Sequence, residues 1–233
     1  EGLLRRDRGL GDLRELRNLE IPGPGGPLKA RLYTPMTAPN DGPLLVYFHG
    51  GGFVLCDLDT HDALCWRLAE VSGVRVLSCL YRLAPENAFP AQLEDALTAT
   101  LWVAANAAGL GVDVAKLAIG GDSAGGYLAL ATARTLNAER PGTIKTQVLL
   151  YPLMTLDDDV WARSLLRDAR AVGRLTVRYI GVQLAMNAPS LLAEGALDPL
   201  PTVIVSGGAL DPCRSDVVAC ASQLEALGAP VVR

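Results

Sequence analysis

Short apolar runs alternate with amphipathic segments along most of this chain. Six runs rich in Leu, Ile and Val have the length of buried strands: residues 44–48, 74–80, 117–120, 147–151, 202–206 and 230–232. Helical spacing marks four of the intervening segments: residues 60–71, 92–107, 124–137 and 215–227. Strands that alternate with helices predict an α/β fold, in which a mostly parallel central sheet carries helices on both faces.

Three further segments have patterns of their own. Residues 1–19 are charged with spaced leucines, which predicts an amphipathic helix. After a turn-rich stretch, residues 29–33 alternate like an early edge strand. Residues 157–193 turn helical and less regular, which predicts a cap inserted into the sheet; a solvated helical connection is the alternative. We find no repeat and no linker, so we expect a single domain over residues 1–233.

Composition narrows the functional classes. Half of the 233 residues are hydrophobic, which is enough for one large core, and the net charge of −4 provides no basic surface for nucleic acid. The longest uncharged stretch, residues 96–112, is rich in Ala, Gly, Thr and Asn and does not predict a membrane span. The five cysteines are an odd number without CxxC spacing, so we expect reduced core residues in a cytoplasmic protein and no metal site.

Ser123 lies in the pentapeptide Gly-Asp-Ser-Ala-Gly, residues 121–125, between a predicted strand and a predicted helix. A Gly-x-Ser-x-Gly turn reverses the backbone so sharply that the hydroxyl projects above the sheet, which requires small neighbours. The N-terminus of the helix would also stabilise a developing anion. Ser123 is therefore a candidate nucleophile, although an ordinary glycine-rich turn remains the alternative.

A second glycine motif, His-Gly-Gly-Gly at residues 49–52, directly follows the first predicted parallel strand. Its amides can point inward together, and an oxyanion needs preplaced donors that contribute about 3 to 4 kcal/mol each. The candidate donors are the amides of Gly51, Gly52 and Ala124. A phosphate-binding loop is disfavoured because there is no GxxxxGK[ST] motif and no nearby lysine.

With these motifs in place, the chain resembles the hormone-sensitive-lipase-like branch of the α/β-hydrolase superfamily, the bacterial carboxylesterases with HGGG and GDSAG motifs. The matching stretches are IPGPGGPLKARLYTP (21–35), HGGGFVLCDLDTHDALC (49–65), YRLAPENAFPAQLEDA (81–96), GDSAGG (121–126) and LDPCRSD (210–216). The resemblance implies an α/β-hydrolase fold with a helical cap, in which residues 1–19 would form a partial N-terminal cap helix. It also implies Ser123 as the nucleophile and Asp211 as the acid that orients the base. Asp216 is the alternative acid, but the family's motif places the acid just before a proline.

The resemblance also implies a catalytic histidine after Asp211, and the sequence contains none there. Its two histidines, His49 and His61, both precede Ser123. The resemblance gives His49 a structural role in the HGGG loop. We interpret His61 as a local hydrogen-bonding or helix-start residue, with a substitute general base as the alternative. Because the sequence stops inside the predicted last strand, we expect a longer natural protein, or a further segment too mobile to be included.

The resulting hypothesis is a serine carboxylesterase that hydrolyses short to medium acyl esters through an acyl-enzyme, with no metal or organic cofactor. Its partner would be a small-molecule ester, and the oligomeric state, including a homo-oligomer, stays open. The alternative is a non-catalytic binding module, because the plant gibberellin receptor resembles this family and has lost the histidine. Retention of Ser123 and Asp211 argues against that alternative. The third hypothesis is a structural or assembly protein that has inherited this fold without its activity.

Overall fold

The computed structural model describes residues 10–154, 191, 202–207, 214–226 and 228–232. The described elements, in chain order, are β1 (Leu13–Ile21), β2 (Leu28–Pro35), β3 (Gly42–Phe48), α1 (Asp62–Ser72), β4 (Arg75–Cys79), α2 (Ala91–Ala105), α3 (Ala107–Leu110), β5 (Val112–Asp122), α4 (Ala124–Glu139), β6 (Thr146–Leu150), β7 (Thr202–Ser206), α5 (Arg214–Ala226) and β8 (Val231–Val232).

The described strands form one mostly parallel sheet in the order β1-β2-β4-β3-β5-β6-β7-β8. Strand β2 pairs antiparallel with β1 and with β4, and all the remaining neighbouring strands pair in parallel. The chain adds β4 on one side of β3 and then crosses to add β5 on the other side. In open α/β sheets, sites form at the carboxyl ends of the strands where the order reverses in this way.

Helices cover both faces of the sheet, as the alternating pattern predicts. On one face Val46 and Ile119 belong to the core cluster that includes buried residues of α2 and α4. On the other face Leu45 and Tyr47 pack in a second cluster with Trp66 of α1. All five residues of β4 are buried, because an inner parallel strand is covered from both sides.

The N-terminal segment is a strand where we expected a cap helix over residues 1–19. Residues 1–9 lie outside the described part, but Leu13–Ile21 forms β1. Leucines at every third position resemble a helical stripe, yet here Leu13 and Leu16 pack against one cluster and Leu19 against the other. A register shift between Leu13 and Glu15 explains how two residues an odd number apart contact the same face.

Strand β2 contains the predicted residues 29–33 but is not an edge strand. It pairs with β1 on one side, Leu19 opposite Ala30, and with β4 on the other, Ala30 opposite Cys79. The prediction of an edge strand was wrong because the sequence analysis did not recognise β1, which pairs outside it. The other strands and helices predicted within the described residues are present, and their bounds differ from the prediction by a few residues. The largest difference is at β5, which begins at Val112 and not at residue 117.

The predicted cap over residues 157–193 lies outside the described residues apart from Leu191, whose amide donates to the carbonyl oxygen of Met154 at 2.9 Å. Among the helices of the described segments, none combines the length and the apolar character that crossing a membrane requires.

Candidate active site

Ser123 occupies a sharp turn between the end of β5 and the start of α4. Its backbone has φ 50° and ψ −116°, a conformation that costs an L-residue about 1 to 3 kcal/mol and persists only where the surroundings enforce it. The Ser123 amide donates to the carbonyl oxygen of Leu150 at 3.0 Å, and the Ser123 carbonyl accepts from the amide of Leu153 at 2.9 Å. Backbone bonds to the end of β6 and the residues after it therefore hold the turn.

The glycines of this turn have no room for a side chain. A Cβ atom on Gly121 would lie 2.4 Å from backbone atoms of Gly125, and one on Gly126 would lie 2.8 Å from Pro152. Real Cβ atoms essentially never approach heavy atoms within 3.0 Å, and here most of the opposing atoms belong to backbone. The requirement for small neighbours around Ser123 is thus met in the way its motif predicts.

The HGGG loop, residues 49–52, begins where β3 ends, beside the strand that carries Ser123. Phe48 of β3 pairs with Gly121 of β5, so both motifs leave the sheet at the same edge. Gly51 and Gly52 have φ values of 105° and 62°, which glycine adopts without steric cost. The Gly51 carbonyl accepts from the amides of Val54 and Leu55, at 3.2 and 3.0 Å, and closes the loop.

Three backbone amides at this edge are uncommitted. Within the described segments, the amides of Gly51, Gly52 and Ala124 donate no hydrogen bond. Ala124 is the first residue of α4, where an amide has no acceptor inside its own helix. These are the three groups that the sequence analysis predicts as oxyanion donors.

Asp122 joins the HGGG loop to the turn through a group of contacts that we call the Asp122 network: Asp122, Gly50, Tyr47 and His61. Its Oδ1 atom accepts from the Gly50 amide at 3.0 Å and from the Tyr47 hydroxyl at 2.7 Å. The His61 Nε2 atom lies 3.2 Å from the same oxygen. The sequence reasoning missed this role of Asp122, although the residue stands in the pentapeptide that it singled out.

The Asp122 network keeps a negative charge inside the protein. Asp122 is only 4% exposed, and this burial acts to raise the pKa of its carboxyl. Hydrogen bonds from His61 and Tyr47 outweigh the burial, so the pKa lies below its ordinary value of 3.8. Burial first, and then the Asp122 charge, raises the pKa of the Tyr47 hydroxyl. Tyr47 is therefore a neutral donor to an ionised acceptor.

His49 is a buried structural residue, as the family resemblance implies. Its ring stacks on Tyr81 with centroids 4.4 Å apart and an interplanar angle of 16°. The Nδ1 atom lies 2.7 Å from the carbonyl oxygen of Gly50, and the Tyr81 hydroxyl donates to the His49 carbonyl at 2.8 Å. Burial lowers the pKa of the His49 imidazole, although the Gly50 contact opposes that shift. A neutral ring thus packs beneath the HGGG loop.

His61 has both ring nitrogens engaged by groups other than Ser123. Nε2 contacts Asp122, and Nδ1 lies 3.1 Å from the Thr60 hydroxyl oxygen. The contact with Thr60 agrees with our interpretation of His61 as a local hydrogen-bonding residue. His61 also occupies the N-cap position of α1, although its side chain makes no capping bond. The arrangement gives no support to the alternative of a substitute base.

The structure brings most, but not all, of the sequence-predicted site together. Ser123, Gly51, Gly52 and Ala124 lie at one edge of the sheet, while Asp211 falls outside the described residues. Across the described ranges, no group of three or more His, Cys, Asp or Glu side chains is placed to hold a metal ion.

The structure describes four cysteines, Cys56, Cys65, Cys79 and Cys220, and the first three are free thiols. Cys56 is partly exposed and the other three are buried, and burial raises the pKa of Cys65 to about 12. This agrees with the expected reduced core thiols, whereas Cys213 lies outside the described residues.

The sheet topology and the serine turn define an α/β-hydrolase. A sequence profile of the alpha/beta hydrolase fold family matches residues 45–232. The chain belongs to this family, in its hormone-sensitive-lipase-like carboxylesterase branch, and is a hydrolase.

Named relatives are similar over most of the chain. Esterase LipI of Mycobacterium tuberculosis is 38% identical, over 93% of this chain and 72% of its own length. Ethyl acetate hydrolase of Pseudomonas putida is 36% identical, over 89% of this chain and 68% of its own. A solved esterase structure from Pyrobaculum calidifontis superposes with a TM-score of 0.88 at 36% identity, covering 99% of this chain and 78% of that one.

Proposed function

We propose that this protein is a serine carboxylesterase in which Ser123 is the nucleophile. The observation that carries the proposal is the strained backbone of Ser123, held at φ 50° at the edge where the uncommitted amides of the HGGG loop lie. A turn held against its own conformational preference is characteristic of a residue with a functional task. The names of the relatives, an esterase and an ethyl acetate hydrolase, support an ester as the substrate.

The reaction follows from the geometry of this edge. The Ser123 hydroxyl oxygen attacks the ester carbonyl, and the carbonyl oxygen takes the negative charge among the amides of Gly51, Gly52 and Ala124. The serine proton passes to a histidine, which the family's order places after Asp211, and then to the departing alcohol. Asp211 holds that imidazole in the correct tautomer. Water then attacks the acyl-enzyme, returns the acid product and restores the serine.

We place the acyl groups in the short to medium range. Relatives named for ethyl acetate and for acetyl esters support the short end of this range. Two of the three amide donors, Gly51 and Gly52, are glycines, so no side chain at residues 50–52 narrows the approach to Ser123.

The decisive experiment uses the full chain that the natural coding sequence specifies. With p-nitrophenyl esters of increasing acyl length, we expect a burst of about one nitrophenolate per protein molecule, followed by steady turnover that falls for long chains. A fluorophosphonate probe should label one residue, and peptide mass spectrometry should assign it to Ser123. Labelling elsewhere, or turnover that survives Ser123→Ala, would refute the assignment. Binding of esters without any turnover would favour the binding-module alternative.

A further inference from the structure

The Asp122 network joins the start of α1 to the HGGG loop through Asp122, a residue that is distant in sequence from both. His61 stands at the start of α1 and lies 3.2 Å from Asp122 Oδ1 and 3.4 Å from Oδ2. Asp122 in turn holds the Gly50 amide at 3.0 Å. Since an ionised carboxylate only accepts hydrogen bonds, the His61 Nε2–H group is the donor in this pair.

The HGGG loop needs an external tether because its own residues do not restrict it. Glycine has access to most of the backbone conformations, so three in succession can rotate their amides away from a common point. The Gly50 amide is the one amide of the three that already has an acceptor, the Asp122 carboxylate. Fixing the Gly50 peptide limits where the amides of Gly51 and Gly52 can point.

The position of the carboxylate is itself tightly limited. A Cβ atom on residue 50 would lie 2.2 Å from Asp122 Oδ2, so the carboxylate packs directly against the Gly50 backbone. The Tyr47 hydroxyl at Oδ1, His61 beside both oxygens and the Tyr151 hydroxyl, 3.5 Å from Oδ2, hold the carboxylate in this position. His61 is 13% exposed at its side chain and Asp122 only 6%, so little water is available to replace a lost donor.

We propose that His61 is a positioning residue of the esterase, which acts through Asp122 to fix the Gly50 peptide and thereby aim the amides of Gly51 and Gly52 at the oxyanion. The inference rests on the proposed function, because it assigns His61 a task in that same site. His61 touches neither Ser123 nor the substrate in this scheme, and its contribution is to the geometry of the transition state.

The test compares His61→Ala with His61→Gln in the full natural chain. Alanine removes the donor to Asp122, whereas the terminal amide of glutamine can reach the same oxygen and donate. Small displacements of catalytic groups reduce turnover by up to about 100-fold. We therefore expect His61→Ala to lower kcat by about 10- to 100-fold with KM changed less than about twofold, and His61→Gln to recover most of the loss.

A matched pair of tyrosine variants separates positioning from stability. Tyr47→Phe removes a second side-chain donor to Asp122, 2.7 Å from Oδ1, and Tyr33→Phe removes a buried hydroxyl that donates to Asp62 at 2.9 Å. Arg31 continues to hold Asp62 in the second variant. Both should be destabilised to a similar extent, but only Tyr47→Phe should lower kcat. If His61→Ala does not fold, Tyr47→Phe tests the same carboxylate.

A measurement that needs no activity distinguishes a failure of this inference from a failure of the proposed function. Hydrogen exchange of the Gly50 amide, followed by NMR, should accelerate at least tenfold in His61→Ala and return towards the wild-type rate in His61→Gln. Unchanged kcat, unchanged Gly50 exchange, or a kcat loss that only matches the unfolded fraction would each overturn the positioning role. If the wild-type protein hydrolyses no ester, the proposed function fails, and Gly50 exchange still decides whether His61 holds the loop.

Discussion

Gly125 packs against Phe48 so closely that a Cβ atom on Gly125 would lie 1.9 Å from the Phe48 carbonyl oxygen. This contact joins the first turn of α4 to the last residue of β3. The helix that begins after Ser123 and the strand that leads into the HGGG loop are thus in contact backbone to backbone. Neither element can shift without moving the other, so one packing contact sets the distance between the two glycine motifs.

Gly125→Ala should destabilise the protein, although alanine normally stabilises a helix over glycine by about 1 kcal/mol. The added methyl group would overlap the Phe48 carbonyl, and relieving such overpacking costs about 3 kcal/mol. Urea unfolding monitored by circular dichroism measures the change. Gly109→Ala in α3 is the matched control, because a Cβ atom there meets nothing within 4 Å and should be neutral or slightly stabilising. Equal effects of both variants would contradict the packing argument.

The turn around Ser123 was predictable because its determinants are local. Five consecutive residues, a preceding apolar strand and a following helix specify the conformation, and the crowding at Gly121 and Gly125 follows from those residue types. The placement of the HGGG loop at the same edge followed from topology, since both motifs end parallel strands.

What could not be predicted depends on long-range packing. His61 and Asp122 are 61 positions apart and meet only when α1 packs against β2 and β4, so no local pattern marks the pair. In the same way, the leucine spacing of β1 fits a helix, and the register shift between Leu13 and Glu15 that reconciles it with a strand arises only through pairing with β2.

Ser123→Gly should make the protein more stable than Ser123→Ala, while both variants lose activity by about a millionfold. Alanine keeps the Cβ atom that makes φ 50° unfavourable, whereas glycine adopts this conformation freely. The relief of about 1 to 3 kcal/mol is partly offset by the greater freedom of unfolded glycine, so we expect a net gain of about 1 kcal/mol. Parallel urea titrations of the two inactive variants measure it. A less stable glycine variant would mean that the turn is not strained.

Arg82 contacts two carboxylates that should differ greatly in their contribution to stability. The Arg82 Nε atom lies 2.9 and 3.0 Å from the two carboxylate oxygens of Asp95. This contact is the main reason that the pKa of Arg82 is raised. Asp95 is 1% exposed, but the Glu94 side chain, 3.0 Å from the same guanidinium, is half exposed. Asp95→Ala should therefore cost about 3 kcal/mol and Glu94→Ala less than about 1 kcal/mol. Similar losses measured by urea unfolding would show that burial does not distinguish these two pairs.

The Asp122 carboxylate should make stability depend on pH in acid. Because its pKa in the folded protein lies below the ordinary value of 3.8, the folded state favours the ionised form, and this contribution is complete above the unfolded pKa. It is lost as pH falls through 3.8 towards the lower folded value. Asp122→Asn removes the charge at every pH, so its free energy of unfolding should be lower than wild type by about 2 kcal/mol at pH 7.

The gap in the free energy of unfolding between wild type and Asp122→Asn should then narrow as pH falls below about 4, because the unfolded wild-type chain binds a proton at Asp122 that the folded protein resists. Urea unfolding at a series of pH values between 3 and 7 measures the gap directly. Asp113→Asn is the surface control: its carboxylate faces solvent beside Lys116 at 3.0 Å, and solvent screening should leave its gap much smaller at every pH. A gap for Asp122→Asn that stays constant down to pH 3 would mean that the variant acts through packing or lost hydrogen bonds, and that the buried charge does not contribute to the stability of the fold.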